Sequence, residues 1–482
     1  MKIFKYTLIF LLSVGFYSCE DDLDILPEDD QSPEQVFSSE AGANGALVGV
    51  YSLAQQDDVL NGTSALATEW QSDNIDFVGS FPTFNDIRTY DTRSTNTSIQ
   101  GIYDDNYEVI NAANRIIAFV PEIADETFVE ESRANVIAQA KFMRALVYFK
   151  LADLFAQPLQ VGGGTNLAVP LVVNPVNPTS ATDEELFPKR ATLNEIHTQI
   201  EVDLIDAIPA LTNSDNSRAT QAAAQQLLAR LYLYQERFEE AATLSNDAIN
   251  SSFQLAENYE FFNDQSPEHL FTLVNTSADG QDSGEGFSGL TNPAPTGRGD
   301  APFSDNLIAA YLEEFQIDED GNPLLDDEGN PVPDARYTDL VQIGESAPGN
   351  DRLFTAKFPD GINNADNAPV LRITEAYLTR AEANLRNGSS IGADPLTDIN
   401  LLRARAGLVA LTAVTLDDIL NERRKELAFE GQRRMDLLRN GLDLRRAGMP
   451  NEVESAFGAD KTIFPIPNRE IELSQLQQNP GY

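Results

Sequence analysis

The chain reads as a mainly α protein in which tetratricopeptide-like helical pairs carry a loop-rich, irregular second lobe with short hairpins. Three observations predict this. Long segments with apolar residues at three- and four-residue spacing follow one another in groups. One group places small residues at the offsets where the paired helices of a tetratricopeptide repeat approach closely. The stretch 252–369 is rich in Gly, Pro, Asn and Asp and poor in helical stripes, yet too long for a single structureless loop, so it is expected to form the irregular lobe.

The elements follow in order. Lys2 and Lys5 precede an apolar run, 6–16, and Ser18 stands directly before Cys19, the only cysteine. This is the pattern of an export signal that ends at a lipid-modified cysteine, so residues 1–18 are expected to be a lipoprotein signal peptide and Cys19 the lipid anchor. Phe16 and Tyr17 are bulkier than such a cleavage site prefers, and the run is too short to span a hydrocarbon core of ~30 Å. Residues 19–31 form an acidic, proline-interrupted tether, and the folded domain is expected over 32–482. Segments 102–120 and 134–155 form a first helical pair. Segments 192–211, 220–236 and 238–250 form a second group, and 370–387, 397–406 and 416–440 a third. In the middle group Leu228, Ala229, Tyr232, Ala241 and Ala248 take repeat positions, while Ser245 replaces the usual aromatic. Between the groups, 157–189 is a Gly- and Pro-punctuated connection around the apolar stretch 168–173. Within 252–369, Glu319-Asp320-Gly321-Asn322-Pro323 recurs as Asp327-Glu328-Gly329-Asn330-Pro331, the mark of a hairpin.

Composition narrows the chemistry. With 33 basic and 76 acidic residues the net charge is −43, which repels nucleic acid and anionic lipid surfaces. A hydrophobic content of 42% is ample for a core and excludes disorder as the explanation of the acidity. Asp318, Asp320 and Asn322 resemble a calcium loop, but Gly329 stands where a closing Glu is needed, and Asp-Gly and Asn-Pro turn chemistry suffices; no metal site is expected. His197 and His269 lack metal-ligand spacing, and neither a G-x-S-x-G elbow nor a P-loop occurs, so neither an enzyme nor a cofactor is expected.

The segment Glu422-Arg423-Arg424-Lys425-Glu426-Leu427-Ala428-Phe429-Glu430-Gly431-Gln432-Arg433-Arg434-Met435-Asp436-Leu437-Leu438-Arg439 places opposite charges one turn apart, which suggests a ladder of ion pairs along one helix. Leu427, Phe429 and Leu437 imply packing on several sides. This segment resembles the C-terminal signature of the SusD/RagB family of Bacteroidetes nutrient-binding outer-membrane lipoproteins, E-R-x-x-E-L-x-x-E-G-x-R-x-x-D-L-x-R. Pro369 to Leu378 running into Arg380-Ala381-Glu382-Ala383, Phe464-Pro465-Ile466-Pro467 and Gln478-Asn479-Pro480-Gly481-Tyr482 support the resemblance. So do Asn111, Asn114, Arg115, the run Ala140-Lys141-Phe142-Met143-Arg144-Ala145, and Tyr148-Phe149 in the first half. Arg434 and Ser474 depart from the family pattern, both in scaffold motifs.

The resemblance implies a SusD-like fold on the outer face of the outer membrane. It also implies capture of an extracellular oligosaccharide, or of a peptide as in the RagB branch, and its delivery without chemistry to a SusC-like TonB-dependent porin. A tetratricopeptide-type adaptor without small-molecule cargo is the reading from another class. Sugar recognition needs an aromatic platform with Asp, Asn and Arg around it. The expected ligand-binding residues are therefore Trp70, Asp73, Asn74, Asp76, Phe81, Arg88 and Tyr90, with Arg298 and Asp300 as a second patch. The alternative for Trp70 is a core residue that closes the first helical pair, and for 292–300 a mobile surface loop.

Overall fold

A computed structural model describes residues 32–177 and 181–482. The signal peptide, Cys19 and the acidic tether lie outside the described residues.

Amphipathic helices dominate, as the periodicity predicts. In chain order they are α1 (Glu40–Ala54), α2 (Thr63–Gln71), α3 (Thr97–Phe119), α4 (Glu130–Phe155), α5 (Leu193–Ala207), α6 (Gln221–Tyr234), α7 (Phe238–Ile249), α8 (Ile373–Asn387), α9 (Pro395–Arg405), α10 (Leu416–Leu427) and α11 (Arg433–Leu438). From α3 to α9 each packs on the next, with α1 against α3 and α10 against α8, so the pairs stack in sequence order like a solenoid. The first long helix starts at Thr97, earlier than its apolar stripe suggests, because the Asn96 side chain accepts the Ile99 amide and caps it.

Small residues and buried ion pairs hold several of the junctions. Ala222, Ala223, Ala224 and Ala229 of α6 are buried and let α7 approach closely. Arg144 of α4 grips Asp203 of α5 at 2.6 and 2.8 Å and also donates to Asn114 of α3 at 2.7 Å. Arg230 of α6 holds Glu375 of α8, both bonds at 2.6 Å, and Arg380 of α8 holds Asp398 of α9 at 2.6 and 2.9 Å. Ser245, the departure from the repeat pattern, is buried and donates to Gln226, which donates to Thr379, so a polar chain crosses three helices where an aromatic would sit.

Three antiparallel pairs occur among the described residues, one in the 157–192 connection and two in or at the edge of the irregular region. β1 (Leu167–Pro170) pairs with β2 (Arg190–Thr192), β3 (His269–Leu273) with β6 (Ala368–Arg372), and β4 (Val341–Glu345) with β5 (Asp351–Thr355). β3 and β6 close the ends of 252–369 against the helices, and Phe271, Leu290, Phe303 and Phe358 join the same hydrophobic core as Phe142 and Leu227. The lobe is thus grafted onto the helical core. The repeated Gly-Asn-Pro segments form three rungs, with Leu324 bonded to Gln316 and Val332 to Leu324, both at 2.8 Å, where one hairpin was expected. Asp318 accepts the amides of Asp320 and Asn322, and Asp326 those of Glu328 and Asn330, so backbone donors take up these carboxylates.

The C-terminal signature is wired differently from a ladder along one helix. The expected helix 416–440 breaks after Leu427, where Phe429 takes φ 67° and Gly431 φ 74°. A Cβ on Gly431 would lie 3.1 Å from Ala65 of α2, and this close approach favours glycine. The break turns Glu430 into the interior, onto Lys357 at 2.6 Å and Arg372 at 2.9 Å. Glu422 pairs with Arg336 at 2.7 Å and Arg403 at 3.0 Å, and Glu426 with Arg405 at 2.7 Å and Arg336 at 3.3 Å. Arg423 binds Asp436 at 3.1 Å. Most partners come from other elements, and the charges are buried. At the terminus Asn479 donates to the carbonyls of Phe155 and Phe464 and accepts from Arg190 at 2.6 Å, which explains the terminal motif.

Two sets of carboxyls pull stability in opposite directions with pH. Burial alone would raise Glu426, but Arg405, Arg336 and Arg372 outweigh it and hold it at about 2. Burial pushes Asp58 up to about 8, helped by Glu285 and Asp105, and pushes Asp57 and Glu69 up to about 7. Groups held down stabilise above an unfolded value of ~4 and lose this as pH falls through the folded value. Groups pushed up stabilise fully below ~4 and lose this as pH rises through 7 to 8, where self-repulsion of a chain of net charge −43 also grows. We expect a higher Tm at pH 5 than at pH 8 in thermal scans, and Asp58→Asn to narrow that gap by raising the pH 8 value. An unchanged gap would remove Asp58 as a contributor.

Candidate functional site

Every residue of α2 is buried, Trp70 completely. Its indole lies against Phe84, with ring centroids 4.6 Å apart, and Phe77 at 5.2 Å. It offers no face to a ligand, which corrects its expected role as the stacking platform and favours the core alternative. Asp73 is corrected as well. It accepts Nε of Arg433 and of Arg446, each at 2.7 Å, and faces Arg424 at 3.5 Å. Burial pushes this carboxyl up, but Arg433, Arg424 and Arg446 outweigh it and hold it well below the usual range. Asn74 spends its amide on Arg424 at 2.8 Å and Glu69 at 3.1 Å, and Tyr90 donates to the Gln71 carbonyl. All four are buried, and Asp73 and Asn74 lock the end of α2 to Arg424 and Arg433 of the C-terminal signature.

Asp76, Phe81, Arg88 and Arg298 reach the surface or its margin, whereas Asp300 is buried and acts through Arg298, which corrects its expected role as a ligand contact. After Asn74 the chain runs extended, with Ile75 opposite Phe303 and the Val78 amide bonded to the Asp300 carbonyl at 2.8 Å. This brings the two separately expected patches together. Gly79 permits the contact, because a Cβ there would come within 2.4 Å of the Asp300 carboxyl. Asp300 is itself buried and accepts Arg298 Nε at 2.8 Å, which aims the guanidinium over Phe81 at 5.0 Å and Phe84 at 5.4 Å. Phe81 is 39% exposed, and its ring lies 4.9 Å from that of Phe84. Asp76 is exposed and takes a 2.8 Å bond from Arg352 on β5. Arg88 lies at the edge, with Nη2 on Asn85 at 3.1 Å and its carbonyl engaged by Arg445.

Loop 292–300 is pinned rather than mobile. Arg298 N donates to the Gly289 carbonyl at 2.9 Å, Gly299 N to Asn292 at 3.0 Å, and Ala347 N to Gly299 at 2.9 Å. Ala294 pairs with Glu345 of β4. The result is a preorganised patch in which an exposed aromatic edge and two partly exposed arginines, each oriented by an aspartate, face solvent. Arg352 is the residue that sequence reasoning missed; only its place in a short alternating strand marked it. Among the described residues no group of His, Cys, Asp and Glu is arranged to hold a metal ion.

Two family models match the chain. The model described as starch-binding, associating with the outer membrane, covers residues 21–233, and the SusD family model covers 352–482. The chain belongs to the SusD family. SusD-like protein P25 of Formosa agariphila is 24% identical, over all of this chain and 98% of its own length. The starch-binding protein SusD of Bacteroides thetaiotaomicron is 26% identical, over all of this chain and 98% of its own. A SusD superfamily structure from Bacteroides thetaiotaomicron superposes with a TM-score of 0.79 at 24% identity, covering 92% of this chain and 100% of that one. A laminarin-binding SusD-like protein does so with a TM-score of 0.70 at 25% identity, covering 92% and 100%. As a SusD-family chain it carries the family's helical signature in the buried charge network around Glu422, Glu426 and Glu430. Its exposed patch joins Phe81, from the segment after α2, to Arg298 of the irregular lobe. No helix among the described residues is long and apolar enough to cross a membrane.

Proposed function

We propose that the protein is a cell-surface lipoprotein, anchored through Cys19 at the outer membrane. It captures an oligosaccharide on the patch formed by Phe81, Arg298, Asp76 and Arg352 and passes it unchanged to a SusC-like TonB-dependent porin. One observation carries this reading: an exposed phenylalanine ring stands beside a guanidinium that a buried aspartate holds in place. A ring edge of this kind offers an apolar surface to the C–H face of a pyranose, and the unspent N–H groups of Arg298 and Arg352 can bond its hydroxyls. Relatives named for starch and laminarin binding make glucans the first candidates.

Isothermal titration against a glycan panel and a peptide pool tests the proposal. Heat is expected with one glycan class. Phe81→Ala and Arg298→Ala should each weaken binding about tenfold or more, equivalent to about 1.4 kcal/mol; Tm should hardly move for Phe81→Ala but fall for Arg298→Ala, which strips the buried Asp300 of its guanidinium. Heat with peptides alone would convert the reading to peptide capture, and silence in both pools would favour a protein adaptor. Failure to co-purify with a TonB-dependent porin from native membranes would remove the delivery step.

A further inference from the structure

Arginines crowd a single carboxylate just after α2. Asp73 accepts two bonds from Arg433, at 2.7 and 3.1 Å, and one from Arg446 at 2.7 Å, while Arg424 stands 3.5 Å away. In the neighbouring network the ratio is reversed, since Arg336 alone faces Asp334, Glu422 and Glu426. Glu69 feels the charge of Arg433 but bonds to the Asn74 amide and the Gly431 N–H, each at 3.1 Å, and forms no ion pair among the described residues. Arg445, beside Arg446 in the chain, is buried and meets no carboxylate among the described residues. Its Nη2 donates to the carbonyls of Trp70 and Arg88, and its Nε is buried without a partner.

Four guanidinium groups around one paired carboxylate leave an excess of positive charge. The chain has 76 acidic residues, yet no second one pairs with the three that share Asp73. Burial pushes Arg424 down to about 10 against the pull of Asp73, and repulsion from Arg433 and Arg446 adds to the fall. Charges crowded in this way are stabilised by a further anion.

The excess reaches solvent through Arg446. Its side chain is 46% exposed and engages only Nε, on Asp73, so both Nη groups are without a bond among the described residues. Those two groups match a pair of oxygens on a carboxylate or sulfate. Arg433, with Nε and Nη2 on Asp73, supports the same charge from beneath, its side chain 8% exposed. Asp73 is three residues from Asp76, a reach of at most about 11 Å, and Asp76 holds Arg352 of the exposed patch.

We propose that Arg446, backed by Arg433, is a subsite for an anionic group carried by the cargo, a sulfate ester or a uronate carboxylate. The subsite rests on the oligosaccharide reading above and adds a charge requirement to it. The net charge of −43 does not oppose this at contact, because at physiological salt exposed charges are screened beyond about 8 Å and a ligand responds to the nearest groups.

Isothermal titration with three oligosaccharides of equal length tests the subsite: a neutral glucan, its sulfated form and an oligouronate. At least one charged chain is expected to bind about tenfold tighter than the neutral one or better. Arg446→Gln should bring that gap below about threefold while leaving the affinity for the neutral chain as it was, which also shows that the variant is folded. Equal affinity for charged and neutral chains, or a gap that survives Arg446→Gln, overturns the subsite; the oligosaccharide reading then stands if Arg298→Ala still weakens neutral binding. Silence with all three chains overturns both. Sodium sulfate that binds as tightly as the sulfated chain would assign the arginines to a free inorganic anion and overturn the subsite as well.

Discussion

Glu426→Ala is expected to destabilise the protein by about 3–5 kcal/mol, read as a fall in the denaturant midpoint at unchanged slope. Glu426 is 1% exposed and accepts from Arg405 at 2.7 Å, Arg336 at 3.3 Å and the Tyr259 hydroxyl at 2.8 Å. Its removal leaves two buried guanidinium groups facing one carboxylate fewer, and burying an uncompensated charge is far more costly than losing a solvated pair. Arg336 keeps Asp334 and Glu422, but Arg405 keeps one carboxylate, Glu268 at 3.4 Å, besides the neutral Thr374 hydroxyl at 3.0 Å. Asp104→Ala is the comparison, because its partner Arg469 is more than half exposed, at 57%. That exposed pair should contribute less than about 1 kcal/mol. A Glu426→Ala chain within about 1 kcal/mol of the native protein would mean that water reaches the network and that its charges are not jointly compensated.

The same network shows what could be read from sequence. Periodicity located the helical pairs because their apolar faces are set by local spacing, and Ala-rich α6 marked the tight junction. The signature segment was legible as a segment, but its wiring was not. Glu422, Glu426 and Glu430 sit one turn apart, so nothing local distinguishes partners on the same helix from Arg336, Arg372 and Arg403 elsewhere in the chain. The break at Phe429 carried only Gly431 as a signal, and the reason for that glycine is the approach of Ala65 from the opposite end of the sequence. Asp73 and Asn74 misled in another way. Polar residues after a helix usually face water, whereas these are polar because they bind buried arginines. The meeting of Phe81 with Arg298 had no local trace except Gly79, whose missing side chain admits Asp300.

Trp70→Ala should therefore act on stability and not on ligand recognition. A fully buried indole between Phe77 and Phe84 leaves a cavity when truncated, which costs about 3–5 kcal/mol for a large aromatic. Phe81→Ala removes a ring that is 39% exposed, so its stability cost should stay below about 1 kcal/mol while glycan binding weakens. The two variants are expected to dissociate: one lowers the unfolding midpoint and binds glycan normally where it remains folded, and the other does the reverse. As the only tryptophan, Trp70 also reports on itself. Its emission should be that of an apolar environment, resist acrylamide quenching and change little on glycan addition. Strong quenching that glycan suppresses would return Trp70 to the binding face, because a ring that a sugar can shield is a ring that water can reach.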